Sequence, residues 1–218
     1  MTFLTQSLIV VATLGYIPVT QAQAYPILAN LIAQVGPCRL RADRKTSAFE
    51  ALVEAVCHQQ LTGKAAQTIL GRIKAIHPHR PFPTPDDLLA THDDTLRAAG
   101  LSRAKVAAVK DISAKSLDGT VPDPKALAKL DDAEIIERLT TIRGVGQWTV
   151  EMLLIFKLGR MDVLPVDDFG VRKGFMLTYR KRDLPKPAVL LKQGERWRPY
   201  RSVASWYMWR AADLAKSK

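Results

Sequence analysis

Two helix-compatible stretches meet at Gly144-Val145-Gly146, and this turn constrains the chain more than any other feature. Upstream, Ile135, Ile136 and Leu139 recur at helical spacing after Asp132; downstream, Gly146 to Leu158 reads as a second helix that stops at Gly159. Glycines let a chain turn with positive φ and let another backbone come close. The second helix starts at the turn, so its first N–H groups point outward and its dipole favours an anion. Such a turn can hold a phosphate through main-chain groups without reading a base sequence. For Gly-x-Gly alone, a tight interhelical turn with no ligand is the simpler reading.

The rest of the chain also reads as helix, with no alternating strands and no repeat. Ser47-Ala48-Phe49-Glu50 has the form of a capping box, followed by Phe49, Leu52, Val53 and Val56 at helical spacing. Ala66, Ile69, Leu70 and Ile73 share one face of a second helix. Thr84-Pro85-Asp86-Asp87 starts another, Asp94 to Ala99 is a short one closed by Gly100, and Ser102 caps Arg103–Leu117. Ala133–Thr141 follows Asp132; 185–199 reads as irregular, and Arg201–Ala215 as a last helix. The fold class is all-α, in short helices.

The formal charge of +11 on 218 residues is not required for folding and suits a polyanionic partner, although a basic soluble or membrane-surface protein remains open. Two cysteines, Cys38 and Cys57, exclude an iron–sulfur cluster held by four thiolates of this chain; two buried free thiols are the preferred reading, with a Cys38–Cys57 disulfide as the alternative. Residues 1–25 are atypical. An apolar run from Leu8 to Val19 precedes Ala22-Gln23-Ala24, which has the small-x-small form of a signal-peptidase site, but no Lys or Arg precedes the run and it is too short to span a bilayer. An export signal, a packing segment and a start placed too far upstream are the three readings; the last two are preferred.

Taken with its flanks, the segment Leu139–Val150 resembles the helix-hairpin-helix of the HhH-GPD DNA glycosylase superfamily, and the resemblance runs from 26 to 215. It implies a two-lobed helical fold, with the hairpin and the catalytic acid at the cleft and the last helix sharing a lobe with the N-terminal residues. It also implies phosphate contacts at Gly144, Gly146, Gln147 and Thr149, and a sodium or potassium ion on the main-chain carbonyls of Thr140, Ile142 and Val145. No other cofactor is implied.

Downstream, Leu164-Pro165-Val166-Asp167-Asp168-Phe169 places two acids before a helix. An N-cap is the plain reading. By resemblance to the alkylbase branch, that of 3-methyladenine DNA glycosylase II, Asp168 is the catalytic carboxylate, with Asp167 the alternative. A carboxylate there stabilises the oxocarbenium-like sugar and can orient the attacking water. Strand-cutting relatives carry a Lys two residues after the second hairpin glycine. Here that position is Trp148, which cannot form a Schiff base.

The same resemblance assigns Trp148, Trp209 and Tyr207 to an aromatic pocket for the extruded base, Trp206 remaining a packing residue. Gln59-Gln60-Leu61-Thr62 resembles the family's turn at the opened duplex, with Gln60 filling the gap and Leu61 as alternative. Arg103 and Lys105 are cations that either meet phosphate or stay solvated. The expected protein is a monomeric, monofunctional glycosylase for alkylated purines, bound to double-stranded DNA on the cytoplasmic nucleoid and to no membrane. A uracil or thymine-mismatch glycosylase, a non-catalytic DNA-binding hairpin and an exported protein are the alternatives.

Overall fold

Short polar side chains set most helix starts. The computed structural model describes residues 26–43 and 45–216; the atypical N-terminal segment lies outside them. Among these residues the secondary structure is helical, without a strand: α1 (Pro26–Val35), α2 (Ala48–His58), α3 (Gly63–Ile76), α4 (Pro85–Ala90), α5 (Asp93–Ala98), α6 (Arg103–Leu117), α7 (Pro124–Leu127), α8 (Asp132–Thr140), α9 (Gln147–Leu153), α10 (Phe169–Thr178), α11 (Pro187–Gly194) and α12 (Arg201–Lys216). Ser47, Thr62, Ser102 and Asp123 each accept a main-chain N–H of the helix they open. Each meets one of the donors that a helix start leaves unpaired. Full capping boxes form at Thr84/Asp87 and Asp131/Glu134. At Ser47 the side chain accepts from Glu50 N at 3.1 Å.

The helices differ from the sequence reading at several places: α1 and α7 were not read as helices, and α8 runs one residue earlier at each end. α5 starts one residue early because the His92 imidazole caps it by accepting from Asp94 N. The stretch expected to be irregular holds α11, which Pro187 opens, and a 3₁₀ turn at Glu195–Trp197. Beyond α9, Leu154–Leu158 winds as a π-helix, a wider turn found frequently at functional sites. Its Phe156 carbonyl accepts the N–H of Asp43 at 2.8 Å.

The chain divides into two compact units: 1–42 with 159–218, and 43–158. The terminal unit joins α1 to the last helix, as expected. Its core is Leu28, Leu31, Val171, Phe175, Leu190, Val203 and Met208, with α10 packed along α12. That crossing is close: a Cβ on Gly174 would stand 1.8 Å from the Met208 carbonyl oxygen. The central unit holds α2 to α9, with Leu52, Val56, Ile73, Val109, Ile112, Leu139 and Leu154 fully or almost fully buried. Cys57 is buried and free; Cys38 is free but only half-buried. No helix among the described residues is long and apolar enough to cross a membrane.

Candidate active site

Asp168 caps α10, as its position before a helix requires: Oδ1 accepts the Val171 N–H at 2.7 Å. The same oxygen accepts the indole Nε1–H of Trp209 at 2.8 Å. Capping needs only the first bond. The second comes from α12 and fixes the carboxylate on another element. Gly170 makes room for it, because a Cβ there would lie 2.7 Å from Trp209 Cδ1 and 3.1 Å from Asp168 Oδ1. Gly170 was not singled out from the sequence, where only its place two residues after the acid hints at a steric demand.

The segment leading to Asp168 is pinned to α12 at its other end too. Arg201 donates from Nε to Asp162 Oδ1 and from a terminal nitrogen to the Asp162 carbonyl, each at 2.7 Å. Buried Ser202 accepts the Val163 N–H at 3.0 Å and donates to the Arg160 carbonyl at 2.7 Å. Ser202 and Trp209 are two helical turns apart on α12, so one helix holds both ends of 162–168. Asp167 is exposed, whereas Asp168 is half-buried.

In the central unit a cavity of 490 Å³ opens between α2 and the α9–π segment, within the size range of ligand sites. Trp148, Met152 and Phe156 line one side; Ala55, His58 and Gln59 line another. Trp148 is 43% exposed. Lys157 at the rim bonds Asp43 at 3.0 Å and lies 3.9 Å from Glu54. Asp43 is held well below the usual carboxylate range, first by the Thr46 hydroxyl and then by Lys157.

Tyr207, expected in the aromatic pocket, is corrected by its burial. It is 3% exposed, in the core of the terminal unit, and its hydroxyl donates to the Gly36 carbonyl at 3.1 Å. Burial raises its pKa to about 12. Trp209 stays half-buried, but its N–H is directed to Asp168. Trp206 packs edge-on against Tyr207, as a packing residue should.

The hairpin turn forms where expected. Gly144 has φ +77°, and a Cβ there would come within 2.8 Å of the Ala108 Cβ, so the position suits glycine on both counts. Gly146 caps α9 without a side-chain bond and faces open space, but its φ of −93° is one that any residue adopts. Ile142 and Val145 bury their side chains, and the Val145 N–H donates to the Ile142 carbonyl at 3.1 Å. Thr140 is exposed, its hydroxyl turned back to the Ile136 carbonyl. Gln147 is exposed and donates to Glu151 at 2.9 Å. Thr149, expected on phosphate, is 3% exposed and its N–H goes to the Gly146 carbonyl. It faces the cavity instead.

At the end of α2, Gln60 is exposed with φ +58°, unusual outside glycine, and Leu61 beside it is 41% exposed. Lys105 is half-buried, and its ammonium donates to the carbonyls of Cys57 at 2.9 Å and Gln59 at 2.8 Å. Burial lowers its pKa and raises that of the Cys57 thiol to about 11. Among the described residues no cluster of three or more His, Cys, Asp or Glu could hold a metal ion.

A chain whose described secondary structure is all helical and that turns on such a hairpin falls in the helix-hairpin-helix class. Residues 53–199 match the HhH-GPD superfamily of base excision DNA repair proteins, and the chain belongs to that superfamily. It is 40% identical over 187 residues to DNA-3-methyladenine glycosylase 1 of Schizosaccharomyces pombe, a match covering 85% of this chain and 82% of that relative. The solved structure of the 3-methyladenine DNA glycosylase of that yeast, in complex with abasic DNA, aligns at a TM-score of 0.81 with 36% identity over 90% of this chain and 96% of the other. A DNA-3-methyladenine glycosidase from Bacillus halodurans aligns equally well, at a TM-score of 0.81 with 33% identity over 91% and 90% of the two chains.

Proposed function

We propose that this protein is a DNA glycosylase that hydrolyses the N-glycosidic bond of alkylated purines, 3-methyladenine among them, with Asp168 as its catalytic carboxylate. The Trp209 N–H on Asp168 Oδ1 carries this reading, because a capping aspartate has no need of an indole from a second helix. Breaking the bond leaves positive charge on the sugar, which a fixed carboxylate stabilises without reorganising. A carboxylate held in this way also suits a role in orienting water. The printed names of the relatives support the same substrate.

Trp148 on the cavity wall supplies a ring face for the extruded base, and a cationic methylated purine gains from it by cation–π attraction. Standing where strand-cutting relatives carry Lys, Trp148 makes the enzyme monofunctional. Gln60 and Leu61 enter the duplex; Gly144, Gly146 and Gln147 meet the phosphates. The carbonyls of Thr140, Ile142 and Val145 are hard neutral donors suited to a sodium or potassium ion. The Ile142 carbonyl keeps a second lone pair beside its bond from Val145. Such an ion would add positive charge toward a phosphate. A DNA substrate fits an enzyme working on the cytoplasmic nucleoid.

Release of free 3-methyladenine and 7-methylguanine from methylated DNA is the test. Wild type and Asp167→Asn release both bases, and Asp168→Asn releases neither. Tight DNA binding without any base release would identify a non-catalytic hairpin protein instead.

A further inference from the structure

We propose that one flank of α6 is a spacer that fixes the turn at Gln59–Leu61 against the hairpin turn, with Lys105 and Asp111 as positioning residues for base extrusion; this rests on the glycosylase reading above. Three residues at successive turns of α6 act on these two loops. Lys105 holds the carbonyls of Cys57 and Gln59. Ala108 is the side chain against which Gly144 fits. Asp111 accepts the Arg143 N–H at 2.7 Å. The loops are also joined directly, since the Gln59 side-chain amide donates to the Gly144 carbonyl at 3.0 Å.

Gln59 is thereby held at three points: its N–H on the end of α2, its carbonyl by Lys105 and its side chain on the hairpin. Its neighbour Gln60 keeps a left-handed backbone, which a non-glycine residue sustains only where its surroundings over-determine it. A chain with 32 lysines and arginines has many cations to offer to phosphate, yet Lys105 is turned inward onto main-chain oxygens. A fixed spacing makes the phosphate-binding energy of one loop available to the other. DNA seated on the hairpin then meets Gln60 and Leu61 at one depth, and the cost of unstacking is met by contacts already made.

The test uses the full-length chain and two duplexes carrying the same 7-methylguanine, paired with cytosine in one and unpaired in a bulge in the other. Single-turnover release is measured on both with one protein sample, so the ratio of the two rates does not depend on the folded fraction. Lys105→Met and Asp111→Ala are each expected to lower the paired-to-bulged ratio about tenfold, the scale set by a lost charged hydrogen bond. Lys105→Arg, which keeps the charge and donors, recovers part of it. An equal fall on both duplexes, or no fall, overturns the proposal and leaves α6 a structural support only. Wild-type protein that releases no base from either duplex overturns the glycosylase reading, and the proposal with it.

Discussion

The indole Nε1 of Trp209 and the main-chain N–H of Val171 converge on one oxygen of Asp168, at 2.8 and 2.7 Å. The carboxylate is therefore oriented from two helices. Trp209→Phe keeps an aromatic ring and removes only the donor. It is expected to slow base release about tenfold to a hundredfold, the effect of losing one bond to a charged group, with DNA affinity within about twofold of wild type. Asp168→Asn should abolish release while also leaving binding intact. Single-turnover rates and binding isotherms on the same duplex check both; a Trp209→Phe enzyme as fast as wild type would show that the bond is incidental.

Two glycines of α10 should separate activity from stability. At Gly170 an added Cβ meets the Trp209 ring and the Asp168 carboxylate, which can shift only by giving up their bond. Gly170→Ala is expected to reduce release at least as much as Trp209→Phe, with a loss of stability below about 1.5 kcal/mol. At Gly174 the Cβ would meet the main chain of Met208, which cannot move without parting α10 from α12. Gly174→Ala should cost about 3 kcal/mol or more. Thermal melts and release assays on the pair decide the matter.

The helical class, most helix starts and the hairpin were legible because they rest on local signals: a capping side chain, an apolar face at helical spacing, a glycine at a turn. Asp168 was legible as an N-cap, and its chemical role came only with the resemblance. What sequence could not show depends on partners far away in the chain. Tyr207 and Trp209 stand two residues apart on one helix, and only packing sends the first into the core and the second to Asp168. Lys105 reads as a surface cation until α2 is placed beside it, and Thr149 as a phosphate contact until α9 is buried. The Phe156 carbonyl of the π-helical turn meets the N–H of Asp43, more than a hundred residues upstream, a partner that no local pattern encodes.

Acid should weaken the fold through its capping carboxylates. Main-chain N–H donors hold Asp87 and Asp123 below the usual range, and Asp118 is held down first by its bonds to Thr120. A depressed folded pKa contributes stability above the unfolded value, near 4 for aspartate, and that contribution is lost as pH falls through the folded value. The melting temperature should therefore be level above about pH 5 and drop progressively below about pH 4. Asp123→Asn keeps a capping oxygen without the charge and should make the drop shallower. A melting temperature unchanged down to pH 3, below the ordinary aspartate value of about 3.9, would show that these charges do not matter.

Trp148 carries two separable expectations. Its exposed ring lines the cavity, so Trp148→Ala should slow release of cationic 7-methylguanine more than that of neutral hypoxanthine, by about three- to tenfold in relative rate, the range of a cation–π contact. Trp148→Phe keeps a weaker ring face and should fall between. Trp148 also has no amine to attack the sugar, so borohydride added during turnover should trap no covalent protein–DNA adduct, and abasic DNA should remain uncut. A trapped adduct on wild-type protein would mean that another amine, on one of the chain's many lysines or its N-terminus, reaches C1′ of the sugar. The enzyme would then be a lyase despite the residue at its hairpin.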